Sequence, residues 1–278
     1  MKDLLPIENH QLTRKQRQIV DVLWQRGTAV AYMTEDELAR EARVSIASVS
    51  RFWETAGYAN FKAFKAAVRN KIETTPENKM KNSVHQTKND PLFDQLIDQH
   101  YKNLALTSQQ FEEHTFRSAL QAILHASTIF IHAPASSEGL GTLLTFRLKR
   151  FGFSIERMAK SGAEIYESLI HVNESSVIIL FQFVEVLPET KVLLDYAQQC
   201  GARTVLITDR LVSEMNAFVD HLLYVYRGEQ WEFHTMVTPT VMLEAMVLGI
   251  GSEIEAQSLT SLKKISHIRN QYKHIVPK

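Results

Sequence analysis

Ser45, Ser48 and Ser50 stand beside Arg51 in RVSIASVSRF, residues 43–52, and together they offer hydrogen-bonding chemistry in a stretch whose apolar residues recur at helical spacing. Serine is a poor helix-interior residue because its hydroxyl competes for nearby backbone groups. A helix with three of them should use them outside its own backbone. Ala47, Ser48 and Ser50 are small enough to let a helix sink into the major groove of duplex DNA, and Arg51 carries the planar fork that bonds guanine bidentately. Ser45, at the helix start, can donate to a phosphate alongside free backbone N–H groups. Lys62, Lys65 and Arg69 fall on the next predicted helix, as contacts to the DNA backbone or as solvated surface charges.

A second group of residues follows predicted strands. Ser136 and Ser137 precede a helix that begins near Glu138, so their hydroxyls can cap it and favour an anion there. Gln182 and Glu185 follow the strand at 176–183, and WEFH at 231–234 brings His234 as a closing segment. Glu138, Glu185 and His234 are proton carriers by type, yet no spacing ties them together, so no catalytic residue and no enzyme is expected. The lone histidines His132, His171 and His221 read as hydrogen-bonded structural residues. Cys200 is the only cysteine, which excludes an internal disulfide framework and a cysteine-rich zinc site. Neither a metal-ligand cluster nor a cofactor-binding glycine loop is present in the pattern, so no cofactor and no metal is expected.

The elements that must position these residues are readable from periodicity. Thr13 caps a helix running to Arg26 with Ile19, Val22 and Leu23 inward. Thr34 and Glu37 form a capping box that starts a second helix at about Glu35, ending near Ala42. After a tight turn at Arg43 and Val44, Ser45 caps a third helix with Ile46, Val49, Phe52 and Trp53 on one side, and Gly57 ends it. A fourth helix, from Asn60 to about Ile72, buries Phe61, Phe64 and Val68. Residues 75–90 contain Pro76 and many Lys, Asn and Thr without apolar period, the composition of a linker. Two helical stretches then precede apolar strands at 128–133, 153–158, 176–183, 203–208 and 221–226, separated by helices. Almost wholly apolar strands alternating with helices imply a parallel sheet covered on both faces. The expected fold class is therefore an all-α helix-turn-helix domain over 1–74 and, after the linker at 75–90, a doubly wound, mainly parallel five-stranded α/β domain over 91–278.

Composition agrees with that division. The 278 residues carry no net charge, but residues 1–81 hold 14 Lys and Arg against 10 Asp and Glu, while the remainder holds 17 against 21. A mildly basic head on an acidic body suits a nucleic-acid-binding module joined to something else. The longest apolar runs, such as VIILF at 177–181, are far shorter than the roughly 20 residues of a membrane span. No membrane partner and a cytoplasmic location are expected. Two short helices joined by a tight turn, with Leu38, Ala39, Val44, Val49 and Phe52 apolar, fit a helix-turn-helix. A helical hairpin within some α-bundle is the alternative. Arg43 stands where glycine is common, which means either a different turn or a left-handed arginine.

LAREARVSIASVSRFWETAGYANFKAFK resembles the N-terminal domain of RpiR-type bacterial regulators, whose pattern is roughly LA-x-x-x-x-VS-x-A-(S/T)-V-x-RF, a G-(F/Y) pair, then F-x-x-(F/L)-K. The resemblance covers about residues 10–75 and implies a C-terminal SIS (sugar isomerase) domain, a double-stranded DNA operator and a phosphosugar effector. It also exposes departures. The first SIS loop usually reads G-x-G-x-S, and APASS here puts Ala133, Ala135 and Ser137 at those places. The second usually reads S-x-S-G-x-T, and QFVEVL puts Gln182, Val184, Glu185 and Leu187 at the S, S, G and T places. The resemblance thus implies a regulator with an altered pocket, lined by Ser136, Ser137, Gln182, Glu185 and His234, for a small polar metabolite in place of an ordinary phosphosugar. A homodimer or homotetramer is expected, since one small module buries too little to select a single genomic site. A SIS-fold sugar-phosphate isomerase and a regulator with an effectorless scaffold domain are the alternatives.

Overall fold

The first helix, α1 (Arg14–Arg26), starts where Thr13 and Gln16 bond each other's backbone N–H reciprocally. The same device opens α2 (Glu35–Glu41) through Thr34 and Glu37. The structure is a computed structural model that describes residues 12–71, 77, 79–80, 91–211, 214–229 and 232–276. Its backbone divides into two compact units, Met1–Ile97 with Gly228–His234, and Asp98–Arg227 with Thr235–Lys278. Most of the linker expected at 75–90 lies outside the described residues.

The helical unit continues with α3 (Ile46–Thr55) and α4 (Phe61–Lys71). Ile19, Leu23, Leu38, Val49, Phe52 and Phe64 are fully buried in one core. Trp53 holds α3 to α4 by stacking on Phe61 and Phe64, with ring centroids 5.0 and 4.8 Å away. A 3-10 helix over Gly27–Tyr32, which no periodicity announced, lies between α1 and α2 and buries Val30 and Ala31. The turn between α2 and α3 holds Arg43 at φ 54°, so of the two readings left open, the left-handed arginine is the one adopted. Gly57, at φ 80°, closes α3 with its N–H on the Glu54 carbonyl.

The α/β unit is a five-stranded sheet in the order β2-β1-β3-β4-β5. Its strands are β1 (Thr128–His132), β2 (Ile155–Arg157), β3 (Ser176–Gln182), β4 (Arg203–Thr208) and β5 (His221–Tyr224). Every pairing is parallel. The helices, in chain order, are α5 (Leu92–Gln109), α6 (Glu113–His125), α7 (Glu138–Lys149), α8 (Ile165–Leu169), α9 (Pro188–Cys200), α10 (Val237–Glu253) and α11 (Glu255–Tyr272). Strand side chains alternate between two cores, as pleating requires. Ile129, Ile131, Val177, Ile179, Val205 and Ile207 pack with α6, α7 and α10 on one face. Phe130, Ile178, Leu180 and Leu206 pack with α8 and α9 on the other. All loops that follow the parallel strands therefore open at one edge of the sheet, where such folds place their ligands. Among the described residues no single helix is long and apolar enough to cross a membrane.

Candidate nucleic-acid interface and effector site

On α3, residues Ile46, Ala47, Ser50 and Arg51 are exposed and form one face by helical spacing. The sequence placed Ile46 on the inner side, but it is 49% exposed because it sits in the first turn, ahead of the point where α3 meets the core. Ser45 is the N-cap, accepting from the Ser48 N–H at 3.3 Å, and the two hydroxyls share a hydrogen bond of 2.9 Å. Ser50 donates its hydroxyl to Glu35 at 2.9 Å, which ties α3 to the start of α2. The Arg51 Nε donates to the Ala47 carbonyl at 3.1 Å, steadying the guanidinium along the helix. Lys62 is exposed on α4. Lys65 is half-buried and donates to the Met33 carbonyl at 3.0 Å, with its ammonium 5.0 Å from the Phe61 ring centre. Burial works against its charge and lowers its pKa from the ordinary lysine value. Arg69 donates in the same way to the Ala31 carbonyl at 2.7 Å. Both cations thereby satisfy backbone carbonyls at the end of the 3-10 helix.

At the sheet edge, the loop after β1 keeps the backbone shape of a glycine loop without its glycines. Ala135 has φ 50°. A Cβ at Gly141, in the first turns of α7, would come within 2.6 Å of the Ala133 Cβ, so helix and loop already touch. Ser137 is buried and its hydroxyl donates to the Pro134 carbonyl at 2.6 Å. It does not cap α7 through its side chain, which corrects the expected capping role, although the helix does begin at Glu138. Ser136 remains exposed.

The loop after β3 is held by Gln182. Its carbonyl accepts from the Thr190 hydroxyl and the Leu187 N–H, and its amide donates to the Glu185 carbonyl. Gln182 is thus an internal staple of the loop. Val184 sits at φ 67°, and its N–H donates to Asp209 Oδ1 at 3.0 Å. The other Asp209 oxygen accepts from Arg227 at 3.3 Å. The Arg227 side chain is only 4% exposed, lies 4.3 Å from the Phe183 ring centre and donates to the Thr235 carbonyl at 2.9 Å. Asp209 follows β4 directly, and Arg227 lies three residues beyond the end of β5. The signal in the sequence is a charged residue shortly after an apolar strand.

Glu185 is exposed beside this loop, while His234 belongs to the other compact unit, where its ring bonds the Glu229 carbonyl at 3.2 Å. Trp231 lies outside the described residues. Past β2, Lys160 pairs with Glu138 at 2.5 Å and Arg157 donates to Thr142 at 3.1 Å. His132, fully buried at the end of β1, holds the Ala159 carbonyl at 3.1 Å through Nδ1. Burial lowers its pKa, which keeps the ring neutral. Glu138, paired with Lys160, and Glu185 belong to the α/β unit, whereas His234 belongs to the helical one.

Two family descriptions match the chain: the helix-turn-helix domain of the rpiR family over residues 1–75, and the SIS domain over residues 122–249. Among curated relatives, an uncharacterized HTH-type transcriptional regulator of Haemophilus influenzae is 23% identical over 218 residues, 76% of this chain and 75% of the relative. The uncharacterized HTH-type transcriptional regulator YfhH of Escherichia coli is 22% identical over 226 residues, 79% of each. Among solved structures, the sugar isomerase domain of an RpiR transcription factor from Sphaerobacter thermophilus superposes with a TM-score of 0.60 at 19% identity, covering 64% of this chain and 99% of that one. The Vibrio vulnificus NanR protein, solved in complex with ManNAc-6P, gives 0.59 at 16% identity over 96% of this chain and 97% of its own. At these identities the structural likeness is one of fold.

Proposed function

Since the chain belongs to the RpiR family, with that family's helix-turn-helix domain ahead of a SIS domain, we infer that it is a DNA-binding transcriptional regulator whose α/β domain senses a small polar metabolite and couples it to operator binding. The observation that carries the DNA half is the exposed face of α3, a slim helix presenting Ala47 and Arg51 after a two-helix turn. Ser50 shares that face, Ser45 and Ser48 flank it on α3, and Lys62 and Lys65 on α4 supply cations for the phosphates, Lys62 being exposed. We place the effector at the strand ends, near Ser136, Ser137, Gln182 and Glu185.

The effector reading departs from the phosphosugar seen with NanR. Gln182 spends its amide on the loop itself, and the Asp209 carboxylate already accepts the Val184 N–H. A phosphate brought beside the Glu185 carboxylate of that loop would meet a like charge, a repulsion of order a kcal/mol or more once partly desolvated. A zwitterion, with its carboxylate toward the β1 loop and its amine toward Glu185, fits this charge pattern better.

The test is an anisotropy titration of the full-length protein on an operator selected from random duplexes, repeated with metabolite panels. Arg51→Ala is expected to lose about 1–3 kcal/mol on the operator and little on random DNA. Amino acids or organic acids are expected to shift operator affinity, whereas common phosphosugars are not. Micromolar binding of a hexose or pentose phosphate, abolished by Ser137→Ala and indifferent to Glu185→Gln, would sink the effector assignment. Turnover of a phosphosugar would favour an isomerase instead.

A further inference from the structure

The apolar residues of α3 divide sharply. Val49, Phe52 and Trp53 are fully buried, while Ile46 is 49% exposed. Ile46 lies next to Ala47, and both share a face with Ser50 and Arg51. The polar groups on and beside that face are largely committed inside the protein. The Ser45 and Ser48 hydroxyls bond each other, Ser50 donates to Glu35, and Arg51 spends its Nε on the Ala47 carbonyl. What the face offers a base edge without breaking these bonds is the outer part of one guanidinium, the spare capacity of the serine hydroxyls, and an apolar patch made by Ile46 and Ala47.

Base edges in the major groove are hydrogen-bond donors and acceptors with one apolar exception, the C5-methyl group of thymine. An isoleucine at the first turn, where a recognition helix approaches the bases most closely, complements that group alone. We propose that Ile46 is a specificity-determining residue that reads a thymine methyl in the operator, with Arg51 reading guanine in the same half-site. This rests on the DNA-reading function assigned above.

The geometry limits what the Ser50 hydroxyl can donate to a base. Ser50 is held by a carboxylate of α2, so turning it toward a base would leave Glu35 without that bond. Ile46 has no such competing partner to give up. Its contact with a methyl group is made by removing apolar area from water, which requires only shape and proximity.

The experiment uses the full-length protein and a site selected from a random duplex library, with each thymine then replaced singly by deoxyuridine, which removes only the methyl group. For wild type, one such replacement in a half-site is expected to weaken binding about fourfold, the equivalent of one buried methyl-sized group at ~0.8 kcal/mol. Ile46→Ser is expected to bind the thymine and uracil sites alike, and to select sites without the thymine preference. Ile46→Val, which keeps a branched apolar tip, retains the discrimination. Matching circular dichroism and melting curves for the variants confirm that the domain is folded. Insensitivity of wild type to every uracil, or equal sensitivity in wild type and Ile46→Ser, overturns the assignment to Ile46 while leaving DNA binding intact. Failure of wild type to select any sequence would instead remove the DNA-reading function beneath it.

Discussion

Val184 carries a branched Cβ in the left-handed region, at φ 67°, where such side chains crowd the following carbonyl. Asp209 holds it there through the 3.0 Å bond to its N–H. Replacing Val184 with glycine removes a steric cost of roughly 1–2 kcal/mol and adds about 0.5–1 kcal/mol of chain entropy to the unfolded state. Val184→Gly is therefore expected to stabilise the protein by up to about 1.5 kcal/mol, seen as a higher melting temperature of the full chain. A lower melting temperature would mean that the valine side chain contributes packing that outweighs its strain. Arg43 at φ 54° and Ala135 at φ 50° pose the same problem on a smaller scale. Ala135 and Val184 stand where the SIS loop patterns carry glycine and serine, and Val184 keeps its backbone shape with the Asp209 bond to its N–H.

At the scale of elements, α3 depends on α4 for its position. Trp53 stacks on both Phe61 and Phe64, and the buried Trp53 N–H has no hydrogen-bond partner among the described residues. Its value is thus in its area and ring contacts, not in its polar atom. Trp53→Ala is expected to cost about 3–5 kcal/mol in urea unfolding of the helical domain. Trp53→Phe should cost much less, since it keeps an aromatic face and removes an unsatisfied donor. Equal losses for the two variants would show that the indole N–H is satisfied after all. Lys65 and Arg69 belong to the same argument. The sequence leaves them as DNA-backbone contacts or surface charges, and the structure adds that each bonds a backbone carbonyl, Lys65 that of Met33 and Arg69 that of Ala31. Sequence could not announce this, because the 3-10 helix that presents those carbonyls has no apolar period of its own.

At the scale of the molecule, the α/β unit leaves apolar side chains in water. Phe146 on α7, Val241 and Leu248 on α10, and Leu259 and Ile268 on α11 are all among its exposed large hydrophobic residues. Where such side chains form one contiguous patch they mark an association face, which singly scattered ones do not. We propose that the protein is at least a dimer through this domain, which would present two helix-turn-helix units to a roughly palindromic operator. Light scattering of the full chain at micromolar concentration is expected to give twice the monomer mass or more, and Leu248→Glu is expected to shift it toward monomer. A wild-type protein that stays monomeric at that concentration would overturn the dimer.

The sequence by itself determined the elements and their classes. The Thr13 cap, the capping box at Thr34, the Ser45 cap, and the runs of apolar strand residues act over a few neighbouring positions, so their consequences are readable locally. The helix-turn-helix and the five-stranded parallel sheet followed from those signals together. Tertiary structure decided which polar groups remain available. Gln182 turned inward to Thr190, Ser137 to Pro134 and Asp209 to Val184 and Arg227, while Ser50 bonds Glu35 at the surface. A buried donor or acceptor must find a partner, and which partner it finds depends on what the fold brings within about 3 Å. Ile46 is the converse case, an apolar residue counted as core from its spacing and left in solvent because the helix meets its neighbours only one turn later.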